Sequence, residues 1–193
     1  IESCFEGEDL RLLVIDFRLV AAALRRPPGI VGDAKHSVRK LIERQSRRRA
    51  TATGGESRIP IDAETERCLA NAGVTLDAVP EEGVEIQVRR TANLHTGGTI
   101  HDVTEIVHGR LVDAACRVAR AINIPVVGID FMVRTPTEPD YVFIEANERP
   151  GLANHEPQPT AERFVDLLFP LAVPESVRRL AVRAPVANDR VSG

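Results

Sequence analysis

The 193-residue chain carries 43% hydrophobic residues, 27% charged residues and a net charge of -3, a balance that fits one ordinary globular domain or two small lobes and argues against a general nucleic-acid binder. Aromatics amount to 4% with no Trp and one Tyr, so a core must be built from Val, Ile, Leu and Ala, and no apolar run approaches the ~18 residues of a membrane-spanning helix. Cys4, Cys68 and Cys116 are isolated and form no C-x-x-C pair, which reads as reduced cytoplasmic thiols and not as a zinc site or disulfide framework.

The opening Ile1-Glu2-Ser3-Cys4 has no basic region and no long apolar run, so it is not read as a signal peptide. It also lacks an initiator Met, and the expectation is a piece of a longer chain. Residues 10–24 read as a hairpin: a strand over 10–15, a tight turn at Asp16-Phe17 and a return over 19–23. Arg25-Arg26-Pro27-Pro28-Gly29 ends it, and a polar loop follows at 32–37. Ser37 suits an N-cap for a helix through Val38, Leu41 and Ile42, closed by Arg47-Arg48-Arg49 where positive charge favours the helix dipole. The arginine run itself reads as a solvated helix end. Residues 51–59, with Gly54-Gly55, read as a mobile loop, and Asp62 caps a second helix holding Cys68 and Leu69.

Val84-Glu85-Ile86-Gln87-Val88 alternates as a strand. Arg89-Arg90 then precede the loop Asn93-Leu94-His95-Thr96-Gly97-Gly98-Thr99, whose adjacent glycines suit several backbone N–H groups turned toward one anion, although an ordinary turn is the commoner outcome for T-G-G-T alone. Strand alternation lets one of the two arginines point inward and hold a phosphate bidentately. Leu111, Val112, Ala115, Cys116, Val118, Ala119 and Ile122 mark the apolar side of a third helix. Next come two alternating strands, Gly128-Ile129-Asp130-Phe131 and Tyr141-Val142-Phe143-Ile144-Glu145-Ala146-Asn147, joined by a short Pro-rich turn. Antiparallel pairing places Asp130 roughly opposite Glu145, and Asn147 shares that face because side chains alternate. Two carboxylates and an amide converging on one spot suit a hard cation such as Mg2+. The alternative, two exposed acids on a half-solvated sheet, stays open at this point. His155 lies in the loop just beyond. A last helix spans about 160–169, and 171–193 reads as a loosely ordered tail. Hairpins and helices mix without strict strand–helix alternation, which favours an α+β fold, a mainly antiparallel sheet layered with helices.

Four separated blocks in the right order resemble the ATP-grasp superfamily of carboxylate–amine ligases, in its cyanophycin synthetase and glutathione synthetase-like branch. They are the run from Glu2 to Arg11, the hairpin and loop from Leu19 to Asp33, the segment from Asn93 to Thr104, and Asp130 with Glu145-Ala146-Asn147-Glu148-Arg149-Pro150-Gly151. Within the branch the nearest look is to N-acetylglutaminylglutamine synthetases. The resemblance covers about residues 1–170 and implies the C-terminal lobe of an ATP-grasp fold. It further implies ATP with two Mg2+ ions, Mn2+ being an alternative, and amide formation through an acyl-phosphate on amino-acid or dipeptide substrates. In that reading backbone groups near Cys4 and Phe5 meet the adenine, Asp9 the ribose, and Arg25 and Arg90 the phosphates or the acyl-phosphate. Asp130 and Glu145 hold one Mg2+, and Glu145 and Asn147 the second. The loop with Thr96, Gly97 and Gly98 lies with nucleotide and acceptor, and Asn93, Gly151 and His155 line the substrate side. The expected partners are the small-molecule substrates and an upstream N-terminal ATP-grasp half, with an acetyltransferase-like domain before it. No nucleic acid or membrane is expected, and a homo-oligomer stays open. Ala34 stands where that family usually has Gly. A non-catalytic nucleotide- or metal-binding module is the competing function. A metal-dependent hydrolase is weaker, having no evident general base beside the hairpin. Asp130→Ala and Glu145→Ala are each expected to abolish Mg-ATP-dependent activity without unfolding the protein.

Overall fold

A computed structural model describes residue 5, residues 7–152, residue 155 and residues 157–170. The expectations for Cys4 and for the 171–193 tail lie outside these described residues. The first hairpin pairs β1 (Glu8–Ile15) with β2 (Arg18–Arg26). Its two-residue turn has both residues left-handed, Asp16 at φ 52° and Phe17 at φ 59°, the hand that matches the natural twist of paired strands. A short β3 (Gly29–Val31) follows, then α1 (Val38–Ala52) and α2 (Ala63–Asn71). Both caps fall where expected: Ser37 Oγ accepts from the Lys40 amide and Asp62 Oδ1 from the Thr65 amide.

The rest of the chain runs through β4 (Glu85–Gln87), a 3-10 turn at Leu94–Thr96, β5 (Thr99–Asp102), α3 (Gly109–Ile122), β6 (Val126–Val133), β7 (Tyr141–Asn147) and α4 (Thr160–Leu168). The main sheet has five strands in the order β5-β2-β1-β6-β7, every neighbour antiparallel. β3 and β4 form a separate two-stranded sheet. Sequence reading had no β3 and no β5, because three or four residues carry too little alternation to stand out. The run at 51–59, expected to be a free loop, is instead tied to the segment before β5. Ser57 Oγ donates to the Leu94 carbonyl at 2.6 Å and the Arg58 amide to the His95 carbonyl at 3.1 Å.

The two faces of the main sheet do different jobs. Leu10, Leu12 and Val14 of β1 with Val127, Ile129, Phe131 and Val133 of β6 point to α3 and pack on Leu111, Ala115 and Ala119. Burying a side chain such as Phe131 stabilises by roughly 1.5–3 kcal/mol. The opposite face is divided along its length. At one end Leu13, Ile15 and Ala21 meet Phe164 and Leu167 of α4. At the other end the same strands present Asp9, Arg11, Arg25 and Asp130, and this end carries the site. A further core joins β3 and β4 to α1 and α2 through Ile30, Val38, Ile42, Leu69, Ile86 and Val88.

Candidate active-site cleft

Register assembles the site. Asp9 of β1 pairs with Arg25 of β2, and Arg11 of β1 pairs with Asp130 of β6, so all four side chains rise from one face. Asp130 is 2% exposed and accepts three hydrogen bonds. Arg11 donates to it through two bonds of 2.7 Å, Nε to Oδ1 and Nη2 to Oδ2. Arg25 Nη2 adds a third bond at 2.8 Å and also reaches Asp9 Oδ1 at 2.7 Å. The bond to Asp130 holds the Arg11 guanidinium proton above its ordinary affinity, against the opposing effect of burial. Gly128 makes room for this arrangement: a Cβ there would stand 3.2 Å from Pro150 Cβ and 3.6 Å from Arg11 Nε.

Asp130 pairs with Glu145, and Gly128 with Asn147, as the alternation of the two strands implied. A bulge at the step from Asp130 to Phe131 lets Tyr141 stack on Phe131 and Phe143 meet it edge-on, on the α3 face, while Glu145 and Asn147 stand on the site face. The Glu145 carboxylate is exposed and makes no hydrogen bond among the described residues. Asn147 Oδ1 accepts from the Arg149 amide at 2.9 Å. Among the described residues no three His, Cys, Asp or Glu side chains form a metal cluster; the set here is two carboxylates and an amide. Its oxygens nevertheless suit Mg2+. Asp130 Oδ1 keeps one lone pair beside its bond to Arg11, Glu145 keeps its full capacity, and Asn147 Oδ1 has room for one more partner.

A cleft of about 1270 Å³ opens over β1, β2 and the segment from Arg90 to His95, and neither Glu145 nor Asn147 lines it. Asp9, Arg11, Arg25, Arg90, Asn93, Gly151 and His155 line it, and Asp130 lies behind that wall under the two guanidiniums. The lining includes five arginines, Arg11, Arg25, Arg26, Arg49 and Arg90, against Glu8, Asp9 and Glu85. The cleft is therefore locally positive in a chain whose net charge is -3, which suits a phosphate-bearing ligand.

The structure separates the adjacent arginines. Arg89 is the inward one, 5% exposed, and it serves α2: Nη1 donates to Asp62 Oδ1 and to Thr65 Oγ1, and Nη2 pairs with Glu64. Arg90 is exposed on the cleft wall.

Thr96, Gly97 and Gly98 form the ordinary turn that was the commoner expectation for T-G-G-T. The amides of Thr96 and Gly98 bond the Asn93 carbonyl, that of Gly97 the Leu94 carbonyl, and that of His95 the Asn93 side chain. These N–H groups close the turn, none is aimed at an anion, and the three residues do not line the cleft. Gly97 is needed for shape, with φ 96° and Ile59 Cγ1 filling the place where a Cβ would sit. Phe5 is likewise absent from the lining; its ring packs beside Gly7.

Two cleft residues were missed by sequence reading. Arg11 had a signal, since it lies two residues from Asp9 in an otherwise apolar strand and so shares its face. Arg49 had none. Its place in an arginine run suits a solvated helix end, yet it lines the cleft and donates to the Gly98 carbonyl at 2.9 Å, and burial lowers its pKa.

No protein-family model matches the chain. Over 95% of its length it is 35% identical to a cyanophycin synthetase from Crocosphaera subtropica, of which it spans 22%. A cyanophycin synthetase from Nostoc sp. is 33% identical over 88% of the chain, which spans 20% of that protein. The glutathione biosynthesis bifunctional protein GshAB of Clostridium perfringens is 25% identical over 88% of the chain and is itself spanned to 23%. Among solved structures, a bifunctional glutathione synthetase from Pasteurella multocida superposes with a TM-score of 0.69 at 25% identity, over 88% of this chain and 25% of that one. The chain thus spans between a fifth and a quarter of the length of these relatives.

Proposed function

We propose that this chain, which belongs to the ATP-grasp superfamily, acts over residues 1–170 as the C-terminal lobe of an ATP- and Mg2+-dependent carboxylate–amine ligase. The observation that carries the reading is the convergence of Asp9, Arg11, Arg25 and Asp130 on one sheet face behind an arginine-lined cleft. Activity then belongs to a longer polypeptide that supplies the N-terminal half of the nucleotide site, in line with the share of its relatives that the chain spans. An acetyltransferase-like domain upstream and a cytoplasmic location belong to the same proposal; the free thiols of Cys68 and Cys116 are compatible with the latter. Among the described residues no helix is long and apolar enough to cross a membrane.

A carboxylate is a poor electrophile. Phosphorylation by ATP converts it to an acyl-phosphate, which an amine can attack. Phosphoryl transfer demands positioning and neutralisation of charge more than covalent help from the protein. Asp130 with Glu145, and Glu145 with Asn147, would hold two Mg2+ ions, which supply part of that neutralisation when bound. Arg25, already shared between Asp9 and Asp130, is placed to exchange a carboxylate partner for a phosphate oxygen. Asp9 Oδ1 takes the Arg25 bonds and leaves Oδ2 for the ribose hydroxyls. Arg90, also on the cleft wall, meets phosphate or acyl-phosphate, and Asn93, Gly151 and His155 face donor and acceptor. The substrates we favour are amino acids or dipeptides joined to products such as N-acetylglutaminylglutamine.

ADP release by the full-length polypeptide, offered Mg-ATP with N-acetylglutamine plus glutamine and with other acid–amine pairs, tests the proposal. ADP that forms only when one acid and one amine are both present supports a ligase and identifies the pair. Nucleotide binding with no turnover on any pair would support the second reading, a non-catalytic binding module. One observation favours that reading: Asp130 is already satisfied by two guanidiniums.

A further inference from the structure

His155 stands between β7 and α4 and is 3% exposed, yet its Nδ1 is buried with no hydrogen-bond partner among the described residues. A buried polar atom left unpaired is costly, so it calls for an explanation. Contacts other than the ring hold this segment: the Gln158 amide bonds the His155 carbonyl at 2.9 Å, and the Gln158 side chain donates through Nε2 to Asp102 Oδ2 of β5 at 3.2 Å. The ring is therefore free of any structural bond described and borders the cleft. Burial first, then the charges of Arg11 and Arg25, hold the imidazole below its ordinary pKa, while Asp102 opposes them. It is thus unprotonated at neutral pH and keeps a lone pair for a proton.

We infer that His155 is the general base for the attacking amine, a role that rests on the ligase reading above. An α-ammonium group titrates near 8, so much of the acceptor is protonated at pH 7 and cannot attack until a proton leaves. In the step proposed, the amine lone pair forms the C–N bond. The C–O bond to the phosphoryl group breaks, and its electron pair departs with inorganic phosphate. The imidazole first takes the extra proton of the ammonium and passes it to water; the second proton, shed by nitrogen as the C–N bond forms, leaves with the phosphate as hydrogen phosphate. Nothing in the preceding step, phosphorylation of the donor acid, needs this base.

That separation gives the test. The full-length polypeptide is assayed with the acid–amine pair found in the ADP screen, and then with the same acid and hydroxylamine, a nucleophile already deprotonated at neutral pH. His155→Gln keeps hydroxamate formation within about twofold of wild type and lowers kcat for the amine by about a hundredfold or more, with little change in the KM for the amine. His155→Asn behaves the same way, and the retained hydroxamate reaction shows that both variants are folded. A rise in KM for the amine with kcat unchanged would mean that His155 only binds the acceptor, and would overturn the proposal. Loss of both reactions in both variants, or of neither, would overturn it as well. If wild-type protein forms neither hydroxamate nor amide, the ligase reading itself has failed, a result separate from any effect of the variants.

Discussion

Ala34 sits at φ 54°, in the left-handed region where a Cβ costs about 1–2 kcal/mol. Its methyl group is exposed, so no packing offsets that strain. Ala34→Gly is expected to raise the free energy of unfolding by about 0.5–1 kcal/mol, the flexibility of glycine in the unfolded chain taking back the rest. The measurement is a urea midpoint that rises at constant slope; a fall would mean that the methyl group makes a contact that matters. Beside it, Asp33 is held down to about 2 from an ordinary 3.8, first by the His36 amide and then by the His36 side chain and the Lys35 amide. Because the folded value lies below the unfolded one, this stabilisation is complete above about pH 4 and is lost as pH falls through 2. The protection factor of the His36 amide should fall as pH drops across that window, and Asp33→Asn should remove the dependence.

At the scale of elements, the pair Arg89 and Arg90 shows how one residue of register divides two roles. Arg89 fastens the end of β4 to the first turn of α2, with partners that are themselves partly exposed. Arg89→Met is therefore expected to cost about 1–2 kcal/mol, well under the penalty for breaking a fully buried pair. It should leave nucleotide affinity of the full-length polypeptide unchanged, whereas Arg90→Ala should weaken nucleotide binding and leave the thermal midpoint within about 1 °C. The opposite pattern would reverse the two assignments. β7 makes a similar point. Tyr141, Phe143, Glu145 and Asn147 all fall on alternate positions and would share one face of an unbroken strand. The bulge sends the two aromatics to Phe131 and the two polar side chains to the site.

For the whole molecule, the ion network ties three strands together at the cleft. Asp130 is so placed that removing it does more than delete a candidate metal ligand. Asp130→Ala leaves the half-buried guanidiniums of Arg11 and Arg25 without their shared carboxylate, at an expected cost of about 2–4 kcal/mol. The initial expectation that this variant would keep its stability therefore needs revision: its loss of activity would mix two effects. Glu145→Ala is the cleaner probe, because Glu145 is exposed and makes no hydrogen bond among the described residues. It should lower Mg-nucleotide affinity of the full-length polypeptide by tenfold or more while the denaturation midpoint stays put, within about 0.5 kcal/mol. A variant that binds Mg-nucleotide as wild type does would remove Glu145 from the metal set.

Local chemistry was enough to read the hairpin at Asp16-Phe17, the caps at Ser37 and Asp62, the apolar side of α3 and the pairing of Asp130 with Glu145. Each depends on turn type, cap type or periodicity, and these are properties of a few neighbouring residues. The four motif blocks likewise pointed to the superfamily, since their order along the chain is itself linear information. What the sequence did not contain was the partner of each charge. Arg11 and Asp130 are 119 residues apart, Arg25 and Asp130 are 105 apart, and Arg49 reaches Gly98 across 49. Whether an arginine ends as a solvated charge, a clasp on a helix or the wall of a cleft is decided by which strands meet and which helix covers them. The Thr96–Gly98 loop went the same way. Two glycines announce a turn, but only the folded backbone determines whether its N–H groups close on themselves or open toward a ligand.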